Sequence, residues 1–361
     1  MSPPCQPHTR QHSNQQCEID DPRSKSFLHL CDMIGSMEES TLPCLVLLEN
    51  VVGFELSGTA VDDGTQTTQS TDDSEPNQQN QIRRGSFQTW REVLSKRDYR
   101  VAHFHLDPTD LGLPNARPRH YTVAFRPGSL HAKLKDASVS TQLKATESLP
   151  IHGGNANKPP IIHGPKSLGA APPTLPCIGD FLDADCKVES SLLRIPEKVW
   201  SSSSAWCFDV VTSLHHRSAC FTHSYGVCSR YGSILYTGPL ETESNDSDEV
   251  DKTSRKRNRA TAFLASTRFD LEAPEARSFD ADWSKDIDWE NDMRYLSGTE
   301  IARLMGFPVS DADDGIDNSF REFSFPNTIT VKQQWKLLGN SLNVEVAGKV
   351  AEIGIKSLLM Q

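Results

Sequence analysis

Leu45-Val46-Leu47-Leu48-Glu49-Asn50-Val51 sets the architecture of this chain. A continuous apolar run ending in a carboxylate reads as a buried parallel strand. Open α/β sheets bind ligands at the carboxyl ends of such strands, so the run delivers Glu49 to a position where chemistry is done. Upstream stands Ser2-Pro3-Pro4-Cys5-Gln6-Pro7-His8-Thr9-Arg10. Proline fixes its own φ and pushes the preceding residue out of the helical region, so Cys5 sits on a stiff, extended backbone that displays its thiol. A frayed terminus with an incidental cysteine is the other reading of those residues taken alone.

Working outward, residues 11–25 are polar and contain no glycine. Phe27 to Ile34 is predicted to be a short helix, with Phe27, Leu30, Cys31 and Ile34 on one face. From Ser57 to Gly85 apolar residues nearly vanish, and such a segment cannot bury enough surface to offset its ordering entropy. Phe87 to Arg97 has the spacing of an amphipathic helix with Phe87, Trp90, Val93 and Leu94 inward. Tyr99 to Leu106 alternates at period two and predicts a strand. Leu111-Gly112-Leu113-Pro114-Asn115-Ala116-Arg117-Pro118-Arg119 then leads into a strand from His120 to Phe125. An Arg-x-Arg pair entering a strand projects both guanidiniums to one side. A surface ion-pair ladder and a functional pair are both open on the residues alone.

Residues 127–175 carry Gly, Pro and Lys without periodicity and read as a linker. The segment Glu241–Arg259 runs from acidic to basic and has the composition of a disordered insert. Its Arg255-Lys256-Arg257-Asn258-Arg259 end is either a nuclear import signal or a solvated charge run. The C-terminal part is ordered again: a helix from near Thr299 ended by Gly306, a second from Val331 to Leu338, and a third after Gly339-Asn340-Ser341-Leu342-Asn343, running to about Leu359. Asn or Ser at a helix start leaves free backbone N–H groups, which serve as an ordinary cap or as a ligand site.

The 361 residues carry a net charge of −11, which does not favour a non-specific grip on nucleic acid. RNA contact would need a local basic surface, such as Arg83-Arg84 or the group Arg91, Lys96, Arg97 and Arg100, although a solvated helix face explains the second group equally well. With 36% hydrophobic residues the chain can build a core, and no apolar run is long enough to span a membrane. Nine cysteines, odd in number and without a Cys-x-x-Cys pair, argue against a zinc site and against a disulfide framework.

Pro-Pro-Cys-Gln-Pro followed by Leu-Glu-Asn-Val resembles the catalytic loop and Glu-Asn-Val strand of the cytosine-5 methyltransferases. Ser2 to Arg10 is most similar to the branch that methylates aspartate tRNA, first named as a second type of DNA methyltransferase; His8 stands where that branch usually has Phe. Asn115-x-Arg117-x-Arg119 resembles the Gln-x-Arg-x-Arg motif in its tRNA-type form. Ile178-Gly179-Asp180-Phe181-Leu182 and Ser191-Leu192-Leu193-Arg194 resemble the opening of the family's target recognition domain. Cys220-Phe221-Thr222 with Tyr225-Gly226 matches the tRNA-type tripeptide.

The fold this resemblance implies is α/β: an incomplete Rossmann-like class I methyltransferase sheet with a small target recognition domain. The expected boundaries are 1–126 for the middle of the catalytic domain (with an insert at about 57–86), 127–175 for a linker, 176–293 for target recognition and 294–361 for the C-terminal helical part. The implied activity is methylation of cytosine 38 in the anticodon loop of aspartate tRNA, using S-adenosyl-L-methionine. Cys5 would attack C6 as a thiolate, Glu49 would bond N3 and the exocyclic amine, Arg119 would hold O2, and Arg117 would brace the site and favour the thiolate. Pro4, Ser26, Asn340, Ser341 and Leu342 would bind cofactor. Asn115, Cys220, Phe221, Thr222 and Tyr225 would meet the substrate. No metal is expected.

The family's Phe-x-Gly-x-Gly cofactor loop has no counterpart before Cys5, so the expectation is a chain lacking the N-terminal S-adenosylmethionine-binding segment. Its strand at Leu45 would then be left with an open edge, and the chain alone would fold poorly and bind cofactor weakly. The alternatives are a non-catalytic RNA-binding remnant or truncated gene model, and a DNA cytosine-5 methyltransferase. The expected partner is tRNA, with DNA as the alternative; the chain is expected to be a monomer in the cytoplasm, the nucleus or both, without membrane attachment.

Overall fold

The computed structural model describes residues 1–3, 22–56, 85–128, 161–163, 173–183, 190–202, 208–227, 231–238, 288–309 and 323–360. Pro4, Cys5, nearly all of the 57–86 insert, the segment Glu241–Arg259 and most of 127–175 lie outside them. The chain forms two compact units. The first comprises Met1–Leu106, Pro118–Ser167 and Lys349–Gln361, the second Asp107–Arg117 and Leu168–Gly348. No helix among the described residues is long and apolar enough to cross a membrane.

The first unit is built on β1 (Leu45–Val51), β2 (Arg100–Leu106), β3 (Arg119–Phe125) and β4 (Ile161–His163), in the order β1-β3-β2-β4. Helices α1 (Lys25–Ser36) and α2 (Ser86–Lys96) cover one face. Phe27, Cys31 and Ile34 recur at helical spacing on α1, and Phe87, Trp90 and Leu94 on α2; all are buried in one cluster with Val46 and Leu48. Removing each such large side chain from water stabilises the unit by about 1.5–3 kcal/mol. Ser86, at the end of the insert expected at about 57–86, instead opens α2. Asp98, at φ +58°, takes the left-handed conformation that ends that helix. Arg97 from the basic group donates to the Met37 carbonyl and pairs with Glu39 at 3.6 Å, so it belongs to the fold's own ion pairs.

Four features depart from expectation. β1 is buried, but its ladder partner β3 is antiparallel, with Glu49 opposite Tyr121. The crossover through α2 makes β1 and β2 run the same way, and β3 then runs back between them. The outer edge of β1 is also partly paired: the Met1 amine donates to Leu47 O at 2.7 Å, and Glu49 N donates to Met1 O at 2.9 Å. Finally, Ile161–His163, read as linker, pairs parallel to β2 as an edge strand. Three residues are too few to show a period. The alternation read in β2 is lost as well, because Ala102, His103 and Phe104 are all buried between covered faces.

The second unit holds two short helices, α3 (Ser190–Leu193) and α4 (Glu197–Trp200), and a sheet of β5 (Asp209–Val211), β6 (Ser233–Tyr236) and β7 (Met293–Arg294). Helices α5 (Gly298–Leu304) and α6 (Val331–Gly339) follow. Ile301, Leu304 and Met305 are buried as the spacing predicts, and Gly306 stops α5 at φ +78°. The start of α5 is set by Ser297, whose Oγ accepts from Glu300 N at 3.1 Å while Glu300 Oε2 accepts from Ser297 N at 2.8 Å. Helix α7 (Val344–Leu359) begins in this unit and ends in the first. There Gly354 lies against Leu45 and Leu47, on the face of β1 opposite Val46 and Leu48.

Candidate active site

Glu49 stands near the carboxyl end of β1, its side chain only 10% exposed. Paired residues of neighbouring strands share a face, and Val51 is opposite Arg119, so Glu49 and Arg119 project together. The Arg119 Nε lies 3.1 Å from Glu49 Oε1. The other carboxylate oxygen accepts a hydrogen bond from Ser2 Oγ. Arg119 Nη1 donates to Pro118 O at 2.9 Å. The carboxylate is thus fixed on both oxygens, with a cation within its own unit. Ser2 escaped the sequence reading, since a serine near a chain terminus carries no periodicity; only its place three residues before Cys5 marks it.

Arg117 does not join Arg119 on one side. It precedes β3, so strand alternation does not govern it, and its guanidinium is held entirely by acceptors of the second unit. Nη1 donates to Phe221 O at 2.9 Å and to Cys220 Sγ at 3.2 Å. Nη2 donates to Ser341 O at 2.7 Å and to Gly339 O at 3.2 Å. One buried cation therefore ties Cys220-Phe221 to the Gly339–Ser341 turn. The two segments also touch directly: a Cβ on Gly339 would sit 2.1 Å from Thr222 C and His223 N. Only glycine permits that approach.

Asn115 completes this junction. It is fully buried, and its Nδ2 donates to Ser218 Oγ and to Ala219 O, both at 3.1 Å. Phe221 and Tyr225 are buried, with rings 5.1 Å apart and edge to face. The Tyr225 hydroxyl donates to Ser233 O at 2.7 Å and accepts from Leu296 N at 3.0 Å. Burial holds this phenol well above its ordinary ionisation range. These two rings build the core, while Cys220 and Thr222 are partly open.

At the Gly339-Asn340-Ser341-Leu342 turn, Asn340 is exposed and caps α6, and Ser341 Oγ donates to Leu338 O at 2.9 Å. Leu342 is half-buried. Asn343, missed as a candidate, is 2% exposed; its Oδ1 accepts from Val346 N at 3.1 Å and its Nδ2 has no partner. Ser26 is exposed in the first turn of α1. Pro4 and Cys5 lie outside the described residues.

The pattern of the C-5 cytosine-specific DNA methylase family matches residues 76–356. The chain is 28% identical to the tRNA (cytosine(38)-C(5))-methyltransferase of Homo sapiens, across 98% of this chain and 80% of that protein. It is 29% identical to the protein of the same name from Bos taurus, with the same coverage. Its fold is similar to the crystal structure of a Spodoptera frugiperda DNMT2 variant, at TM-score 0.56 and 23% identity, covering 98% of this chain and 78% of that one.

Proposed function

This chain belongs to the C-5 cytosine-specific DNA methylase family, and from that premise we propose that it methylates carbon 5 of a cytosine in tRNA with S-adenosyl-L-methionine. The names of its human and bovine relatives point to cytosine 38 as the target. The observation that carries the reading is the cluster of Ser2, Glu49 and Arg119. It joins the segment leading into Cys5 to a buried carboxylate and its cation.

Cytosine C5 is a poor nucleophile, and the thiolate of Cys5 relieves this by adding to C6, which opens the C5=C6 bond and makes C5 enamine-like. Glu49 accepts from the exocyclic amine and stabilises N3 as it takes a proton, while Arg119 donates to O2. After methyl transfer, C5 loses its proton, the C6–S bond breaks and the double bond returns. The target must leave its stack to enter such a site, which costs least for a loop nucleotide. Arg117 acts as a positioning residue. Its four bonds hold the Cys220-Phe221 segment against the Gly339–Ser341 turn.

The residues near that turn fit a polar cofactor. The orphaned Asn343 Nδ2 lacks an acceptor and Asn340 is open to solvent, so Asn340, Ser341, Leu342 and Asn343 would hold S-adenosylmethionine. The cofactor supplies an electrophilic methyl group on a sulfonium centre. The family's description as DNA methylases favours a second substrate reading, DNA. Labelled S-adenosylmethionine offered with unmodified tRNA, the same tRNA carrying uridine at position 38, and duplex DNA separates the two. Label should enter the first substrate alone. Label in DNA but not in tRNA would overturn the proposal, as would no transfer by folded protein.

A further inference from the structure

We propose that Glu55, His105 and His120 form a binding site for a divalent first-row transition metal, zinc above all, on the face of the sheet opposite Glu49 and Arg119. Asn50 and His105 are both opposite His120 in the strand ladders, whereas Val51 and Leu106 are opposite Arg119. Alternation therefore sends His105 and His120 to one face and Arg119 to the other. Glu55 reaches the same place from the helical turn Phe54–Leu56 that follows β1.

The three side chains converge on one point. His105 Nε2 is 3.1 Å from Glu55 Oε1, and His120 Nδ1 is 3.4 Å from Glu55 Oε2. All three ligand atoms lie within 4.8 Å of one another. Metal–ligand bonds near 2.0 Å give a tetrahedral edge of about 3.3 Å, and each Glu–His separation, one to each carboxylate oxygen, is close to that value. The His105 ring is the most open of the three at 15% exposure, against 7% for Glu55 and 0% for His120.

The surroundings suit a metal's outer shell. Thr122 Oγ1 lies 3.3 Å from His120 Nε2 and 3.0 Å from His103 Nδ1. If His120 Nε2–H donates to this hydroxyl, the lone pair of Nδ1 faces Glu55, as a ligating imidazole requires. Phe54 and Phe87 set their ring edges against His120 at 5.7 and 5.5 Å, which dries one side of the site. Two imidazoles and a carboxylate form a donor set matched to zinc and its neighbours. A bound ion would fasten the turn after β1 to the end of β2 and the start of β3, one residue from Arg119. The cysteine count pointed away from zinc; this site uses none of the cysteines.

Cobalt(II) titration of the full chain, stripped with chelator at neutral pH, tests the assignment. One equivalent should bind with the visible d–d absorption of a four- or five-coordinate ion, without a sulfur charge-transfer band, and zinc should displace it. His105→Ala, at the open edge, should remove the band while circular dichroism stays unchanged. His103→Gln, in the same cluster but not a ligand, should keep it. The spectrum of free aqueous cobalt alone, as expected if only protons hold the cluster together, would overturn the assignment. So would a band that survives His105→Ala, or one with thiolate character.

Discussion

Glu49 meets Ser2 on one carboxylate oxygen and Arg119 on the other, so its orientation is set before a base arrives. Glu49→Gln keeps the shape but removes the charge, and turnover with tRNA should fall about 100-fold or more. Ser2→Ala removes one bond to the carboxylate and should lower kcat by about 10-fold with KM for cofactor unchanged, the scale of a single charge-assisted hydrogen bond. Steady-state methyl transfer measures both. Glu49 was legible because it ends a continuous apolar run, and Arg119 because its motif resembles the family's Gln-x-Arg-x-Arg. Ser2 was not, because its importance comes from a partner 47 residues away. Phe221 and Tyr225 show the reverse case: their motif was visible, but only packing reveals that both rings are core.

Among the elements, the helices followed from apolar spacing, and α1, α2, α5, α6 and α7 all form where the pattern places them. The antiparallel insertion of β3 was hidden, since pairing direction depends on the path of the chain rather than on any single strand. The junction of Cys220–Thr222 with Gly339 was hidden too, being a contact between backbones. Gly339→Ala puts a methyl 2.1 Å from the Thr222–His223 peptide, where only backbone can give way. It should lower the melting temperature and weaken cofactor and tRNA binding together. At α5, the fully buried Glu300 pairs with Arg294 Nη2 at 2.7 Å and closes the capping box. Glu300→Ala should cost about 3–5 kcal/mol in denaturant unfolding, since it leaves Arg294 without that charge. Tyr225 gives a pH signature. Its phenol is raised in the folded state and titrates near 10 when unfolded, so its contribution is full below about pH 10 and is lost as pH rises further. Tyr225→Phe should flatten the alkaline fall in melting temperature.

At the scale of the molecule, the chain crosses between its units repeatedly. Asp107–Arg117 leaves the first unit for the second, Pro118 returns, and α7 starts in one and ends in the other. The Asn115-x-Arg117-x-Arg119 motif is thereby divided: Arg117 serves the second unit's junction, and Arg119 serves Glu49. Composition could not foretell this, because the division falls inside a five-residue motif. We propose that Cys5, guided by Glu49 and Arg119, attacks a cytosine in RNA. Covalent trapping on tRNA transcribed with 5-fluorocytidine, in the presence of S-adenosylmethionine, tests it most directly. Fluorine at C5 blocks the final elimination, so the adduct should accumulate and peptide mass spectrometry should place it on Cys5. An adduct on Cys220, or one that persists in Cys5→Ala, would contradict the account.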